Sequence, residues 1–390
     1  MRPIHVVPLV AAIALSACGS NPPPASTVLK QPPTASMKPL DKIGAAEGQV
    51  NLIAWNGYVD DAWVKPFQDQ SGCQVHVQYA GSSDDMVNAM KDGGQNQWDM
   101  VSARGDAALG LIWNGDVRPM NQALIPDWAN FQAVFKNPAF NTVGGVHYGI
   151  SLQWSPNTLI YSTRKFPNKP TTWQVIYDPA NKGLITVYDS PMQIADAALY
   201  LSKTQPALGI TDPYELTKKQ FDAAVAKLTE QRPLVDKYWF APGDEMPLFQ
   251  NGAVVAGTAW PYQTIFLQQG GIPVADTIPT EGATGWADSW MLATKAPHPN
   301  CAYLWAAYVS TPHVQALQAL QFGESPVNTR ACAEMEALAA GSCSQYHADA
   351  TDSFLASINF WKTPLPTCDS GKAGCISYDQ WTSSWSTVKS

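Results

Sequence analysis

Hydrophobic and polar positions alternate in short blocks from residue 49 onward, and the blocks switch between a strand period and a helix period. Residues 50–54 read as a strand, apolar except at Asn51, that ends in Trp55-Asn56-Gly57-Tyr58. Over 60–70 the apolar positions take helical spacing until Ser71-Gly72 stops them. Residues 73–79 alternate as a second strand, 84–91 read as a helix, 98–103 as a third strand, and 107–114 as a helix ended by Gly115. Strands and helices in turn predict α/β architecture, with a mostly parallel sheet wrapped by helices. Apolar runs at 146–153 and 159–162 bracket Trp154-Ser155-Pro156, where the chain is expected to cross into a second lobe. That lobe is predicted from strands at 184–188 and 254–260 and helices at 191–202, 217–231 and 262–269. A strand at 284–293 returns to the first lobe, followed by helices at 301–309 and 312–322. Thr311 is expected to cap the last of these, with Pro312 at its first position.

The amino-terminal end has a different pattern. Arg2 precedes an apolar run at 6–15 that is too short to span a bilayer, so residues 1–17 read as an export signal. Leu15-Ser16-Ala17-Cys18 resembles the lipobox of bacterial lipoproteins, which implies lipidation of Cys18. Residues 18–48 are rich in Pro, Ala, Ser and Thr and are expected to form a disordered, lipid-anchored tether. The folded body then divides into a first lobe of 49–153 and 287–325 and a second of 154–286 and 326–390. The protein is expected to be exported and anchored to the outer face of the cell membrane, or to lie in the periplasm.

Composition narrows the function. The 390 residues are 45% hydrophobic, enough for two cores, and a net charge of −8 argues against nucleic acid and against an anionic membrane surface. With Cys18 set aside, six cysteines remain: Cys73, Cys301, Cys332, Cys343, Cys368 and Cys375. In an exported chain they suggest disulfides, and sequence alone leaves many pairings open. Short spacings favour Cys332–Cys343 and Cys368–Cys375, which would leave Cys73 with Cys301. No C-x-x-C occurs and the histidines are scattered, so neither a metal nor a cofactor is expected. Nucleophile-elbow, zinc-protease, P-loop and dinucleotide motifs do not occur in the sequence, so no catalytic residue is assigned.

Ligands of open α/β sheets sit off the carboxyl ends of the strands. Trp55 and Tyr58 follow the first predicted strand, and Ser102, Arg104 and Asp106 the third. Tyr188, Asp189 and Gln193 follow the strand at 184–188, and Trp260 ends the strand at 254–260. Trp286, Asp288 and Trp290 fall at every second position and share one strand face, and Glu324 follows the helix at 312–322. Aromatic faces attract an organic cation and a carboxylate neutralises it. Trp290 is expected in the core further down the strand, Trp154 as packing at the crossing, and Asp244-Glu245 as solvated surface.

These residues carry a resemblance to the polyamine-binding proteins of bacterial ABC importers, over about residues 50–363. Trp55-Asn56-Gly57-Tyr58 resembles the family's W-x-x-Y, and Trp98-Asp99-Met100-Val101 its aromatic-Asp-apolar-Val strand. Tyr148-x-Ile150-x-x-x-Trp154 is similar to its crossing, with Ser151 in place of the usual Pro. Trp260 falls on the end of G-x-x-W, and Pro279-x-Glu281-Gly282 with Trp286-x-Asp288-Ser289 resembles the P-x-E-G and W-x-D-S pair.

The resemblance implies a two-lobed periplasmic-binding-protein fold with two interlobe crossovers. It implies a cleft with Trp55, Tyr58, Trp260 and Trp286 as walls and Asp288 at one ammonium end. The partners it implies are a small-molecule amine and membrane-bound ABC permease subunits, and the protein is expected to be a monomer. Arg104, Gln193, Glu324 and Lys362 fall on ligand-facing positions of the family but differ from its usual residues. Asp106 either pairs with Arg104 or replaces a family Tyr, and Asp189 falls in the family's acidic pair, whose second Asp is replaced by Ser190. These departures keep a zwitterion such as 4-aminobutyrate open, or else place Arg104–Asp106 and Glu324–Lys362 as internal ion pairs. An aromatic cleft also suits a sugar, so a sugar-binding lipoprotein is a further alternative.

Overall fold

The computed structural model describes residues 31–368 and 374–390. The export signal and Cys18 lie outside them. The strands in chain order are β1 (Gln49–Trp55), β2 (Gln74–Ala80), β3 (Met100–Arg104), β4 (Thr142–Val143), β5 (Val146–His147), β6 (Gly149–Pro156), β7 (Thr158–Ser162), β8 (Ile185–Tyr188), β9 (Val235–Trp239), β10 (Ala256–Ala259), β11 (Val274–Thr277), β12 (Ala283–Leu292), β13 (Ser325–Pro326) and β14 (Ile358–Phe360). The first lobe is built on a sheet of order β13-β6-β12-β3-β1-β2, with β14 beside β12. The second lobe is built on β11-β7-β10-β8-β9, and β4 and β5 pair by themselves. No helix among the described residues is long and apolar enough to cross a membrane.

Leu52, Ile53 and Ala54 of β1 are consecutive apolar residues because both faces of the sheet are covered there. Val50, Leu52 and Ala54 pack with Trp63, Phe67 and Trp305 on one side, and Ile53 packs with Met86, Leu109 and Ile112 on the other. β1 runs parallel to β2 and β3, while β12 runs antiparallel to β3 and β6. The helix Asp61–Ser71 starts where Asp60 accepts from the Ala62 N–H and stops at Gly72, whose φ of 71° is left-handed. Thr311 is the N-cap of the helix Pro312–Phe322 with Pro312 following it, as expected, but its side chain makes no capping bond and its hydroxyl donates to the Tyr308 carbonyl at 2.7 Å.

The first crossing falls one residue later than expected. Trp154, Ser155 and Pro156 are still paired with β12, so the chain changes sheets at Asn157. The second crossing joins β11 to β12, and β12 pairs with β6 from Gly285 onward. The tail divides differently from the sequence reading. β13 pairs with β6 and β14 with β12, so Pro326 and residues 358–360 belong to the first sheet rather than to the second lobe. The helix Tyr378–Lys389 returns to the second lobe, where Trp381 meets Phe221 at 6.0 Å.

Residues 31–48, expected as tether, lie against the first lobe. Thr34 Oγ1 donates to the Val117 carbonyl at 2.8 Å. The Glu47 carboxylate accepts from the backbone N–H groups of Asn300 and Cys301 and so caps the helix Pro299–Val309. Leu40 and Ile43 pack on the core below. Hydrogen bonds to an already folded body order this segment, which composition does not reveal. The structure pairs Cys73 with Cys301, Cys332 with Cys343 and Cys368 with Cys375.

Candidate functional site

The strand ends of both sheets converge on a cavity of about 460 Å³. Trp55, Tyr58, Arg104, Trp286, Asp288, Phe322 and Glu324 line it from the first lobe, and Tyr188, Phe240 and Trp260 from the second. Seven of the eleven sequence-predicted ligand residues therefore meet in one cleft.

At one end, a tight turn after β1 brings the Tyr58 N–H to the Trp55 carbonyl at 3.1 Å. Gly57 has a φ of 94°, and a Cβ there would collide with the Phe322 ring, so only glycine lets the two elements close. Phe322 in turn packs edge-on against Tyr58, with ring centroids 5.3 Å apart. The Tyr58 hydroxyl donates to Asp288 Oδ2 and lies 3.1 Å from Glu324 Oε2. A phenol carries one proton, so it cannot donate to both carboxylates at once. Asp288 is 2% exposed and its Oδ1 has no hydrogen-bond partner among the described residues.

Burial pushes the Asp288 carboxyl up to about 7, against the pull of the Tyr58 hydroxyl and Arg104. Burial and then Asp288 hold Glu324 well above the usual carboxylate range. Burial and the two acids raise Tyr58 as well, so it stays a neutral donor. Two carboxyls that disfavour their own charge in this way form a place for an added cation.

A cation stands beside this acid cluster. Arg104 ends β3 directly across from Asp288 in register. Its Nε and Nη2 donate to the two oxygens of Asp106 at 3.1 and 2.9 Å, and its Nη1 reaches the Tyr188 hydroxyl at 3.4 Å. The guanidinium lies over Trp361 at 4.7 Å and over Trp55 at 5.3 Å. Burial opposes its charge, but Asp106 and its other partners outweigh that and keep it firmly cationic. Along the aromatic wall, Trp260 meets Trp286 at 5.7 Å and Tyr188 at 5.5 Å.

The remaining four predicted residues stand elsewhere. Asp106 lies behind Arg104, 2% exposed, and also accepts from Ser83 Oγ at 2.9 Å; it serves the guanidinium rather than the cleft. Asp189 Oδ1 accepts from Trp385 Nε1 at 2.9 Å and Lys389 Nζ at 2.6 Å, held by the carboxyl-terminal helix. Gln193 opens the helix Gln193–Thr204 as a buried residue outside the cavity lining. Lys362 pairs with Glu215 at 2.6 Å and Asp212 at 2.9 Å rather than with Glu324. Of the two internal ion pairs considered, Arg104–Asp106 forms and Glu324–Lys362 does not. Trp290 and Trp154 are core residues, Trp290 edge-on to Trp305 at 5.7 Å and Trp154 fully buried.

Phe240, Phe322 and Trp361 were not anticipated, and Tyr188, recognised at a strand end, was not carried into the ligand set. Phe240 follows β9, a strand whose short polar-rich sequence VDKYW gives little signal. Phe322 was visible as the residue ending a predicted helix beside Glu324.

Two α/β lobes joined at crossovers, with a ligand-sized cleft between strand ends, define a periplasmic-binding-protein fold. A solved spermidine/putrescine ABC transporter substrate-binding protein from Streptococcus pneumoniae shares it, at a TM-score of 0.66 and 17% identity over 88% of this chain and 99% of that one. The family model for bacterial extracellular solute-binding proteins matches residues 62–340, and the chain belongs to that family. It is a solute-binding protein rather than an enzyme. It is similar to the putrescine/agmatine-binding protein of Pseudomonas aeruginosa, 24% identical over 71% of this chain and 77% of the relative. It is also similar to the gamma-aminobutyric acid-binding protein of the same organism, 24% identical over 69% and 73%.

Proposed function

We propose that this protein captures a small polyamine of the putrescine or spermidine kind outside the cytoplasm and delivers it to an ABC permease, tethered by lipid on Cys18. The observation that carries the reading is the Tyr58–Asp288–Glu324 cluster at the end of an aromatic-walled cleft. An ammonium placed there neutralises carboxyls that burial otherwise drives toward protonation, and the methylenes lie along Trp55, Trp260 and Trp286. Each desolvated aromatic–ammonium contact adds about 1–2 kcal/mol. Relatives named for putrescine with agmatine and for spermidine with putrescine support the same class.

A second reading, a zwitterion such as 4-aminobutyrate, is favoured by one observation: Arg104 supplies a cation across the strand from Asp288. Titration calorimetry with putrescine, spermidine, agmatine, 4-aminobutyrate and maltose tests both. Binding of a diamine or polyamine supports the first reading and selective binding of 4-aminobutyrate the second. Binding of maltose alone defeats both.

A further inference from the structure

A chain of hydrogen bonds leaves the cleft wall and runs through both crossovers. Trp260 Nε1 donates to Asn157 Oδ1 at 3.1 Å. Asn157 Nδ2 donates to Thr284 Oγ1 at 2.6 Å, and the Thr284 hydroxyl donates to Asp196 Oδ1. Asn157 is the residue at which the chain leaves β6 for β7, and Thr284 lies at the start of β12, just past the second crossing. A backbone bond from the Asn157 N–H to the Thr284 carbonyl, 2.8 Å long, ties the two crossovers together beside the side-chain link. Asn157 and Thr284 are buried, Asp196 is half-buried, and the Asp196 Oδ2 atom is out of solvent with no hydrogen-bond partner among the described residues.

The order of donors fixes the amide. The Trp260 indole N–H can only donate, which leaves the Asn157 Nδ2 to donate to Thr284 Oγ1. The Asn157 carbonyl oxygen must then face the indole N–H. A flipped amide would set N–H against N–H at Trp260. The indole plane of Trp260 is therefore set by a residue of the hinge as well as by the helix Pro261–Gln269 that Trp260 precedes.

We propose that Asn157 is a positioning residue of the amine site: it locks the Trp260 indole to the hinge and so sets ligand affinity through Trp260. The proposal rests on the amine-binding reading for its ligand arm. Rotation of the lobes about Asn157 carries the ring with the crossover, so wall and hinge close in step.

The test has one readout without ligand and one with it. Protein labelled with nitrogen-15 at the tryptophan indoles gives an Nε1–H signal for Trp260, assigned by its loss in Trp260→Phe. In Asn157→Ala that signal moves upfield and exchanges faster with water, and the putrescine Kd rises about tenfold, or ~1.4 kcal/mol. In the Trp260→Phe background the same substitution changes Kd by less than about twofold, since the bond it breaks is already gone. An unmoved indole signal overturns the proposal. So does a moved signal with unchanged Kd, and so does equal weakening in both backgrounds, which would mean a general effect on the hinge. If the wild-type protein takes no amine, the functional reading fails while the indole signal still decides whether Asn157 holds Trp260. Should Asn157→Ala not fold, Thr284→Val removes the acceptor of the Asn157 amide and is read by the same two measurements.

Discussion

Asp288 and Arg104 are register partners across β12 and β3, yet each turns to a different neighbour: Asp288 to the Tyr58 hydroxyl, Arg104 to Asp106. The sheet thus sets a buried acid and a buried base side by side without letting them cancel. Asp288→Asn keeps the shape and the contact with Tyr58 but removes the charge that an ammonium needs. Putrescine binding should fall at least a hundredfold by calorimetry while circular dichroism stays unchanged. The ligand-free variant should melt no lower than wild type at neutral pH, because a buried charge has been removed.

Arg104 decides how much of the aromatic slot an amine can use. Its guanidinium occupies the space between Trp55 and Trp361 and would repel a second ammonium. Removing it alone would strand Asp106, a buried carboxylate, at a cost of about 3–5 kcal/mol. The informative variant is therefore Arg104→Ser with Asp106→Asn. It should bind spermidine about tenfold more tightly than wild type and lose any affinity for 4-aminobutyrate, measured in parallel titrations.

The acid end predicts a pH dependence with a definite sign. Burial raises Asp288 to about 7, and Asp196 is raised to about 7 by the same cause. The unfolded carboxyls titrate near ~3.9. Between the two values the native state holds protons that the unfolded state has lost. The stability these groups contribute is thus fully present below about pH 4 and is lost as pH rises through about 7. A cation prefers ionised Asp288, so affinity runs the other way and climbs over the pH range around 7. Thermal melts of ligand-free protein from pH 5 to 8, with Asp288→Asn and Asp196→Asn as flatter controls, check the first sign. Titrations over the same range check the second.

What the sequence shows and hides follows from physical range. Strand runs such as 50–54 and caps such as Gly72 are local signals, and the structure places them within a residue or two of the expectation. The cleft was legible because aromatics and carboxylates recur at predicted strand ends. Partners were not. Asp189 looks like a site residue until the carboxyl-terminal helix, some 200 positions away, brings Lys389 to it. Glu245 reads as surface beside Asp244, yet it is fully buried and bonded to Gln263 at 2.9 Å. Trp361 becomes a wall for Arg104 because β14 docks on β12, a pairing of three residues that no pattern announces.

Because Asp189 is held by Trp385 and Lys389, Asp189→Asn should leave ligand affinity within about twofold. Lys389 loses a partly exposed ion pair, worth ~0–1 kcal/mol. The asparagine oxygen still accepts from the Trp385 indole. Calorimetry and a chemical melt check the two halves of this expectation; a large loss of affinity would return Asp189 to the site.

The Cys73–Cys301 bridge should matter to stability and not to binding. Cys73 precedes the amino end of β2, whereas Ala80, at the far end of the same strand, lines the cleft. Seven residue steps along the strand put them about 23 Å apart. The bridge closes a loop of 228 positions and pins the helix Pro299–Val309 to the sheet edge. Its loss releases the unfolded chain from a long constraint, which is worth about 2–5 kcal/mol. The double variant Cys73→Ser, Cys301→Ser should therefore unfold at lower denaturant with its putrescine Kd within about twofold of wild type. A bridge that also set the angle between the lobes would shift Kd with stability, and the paired melt and titration separate the two.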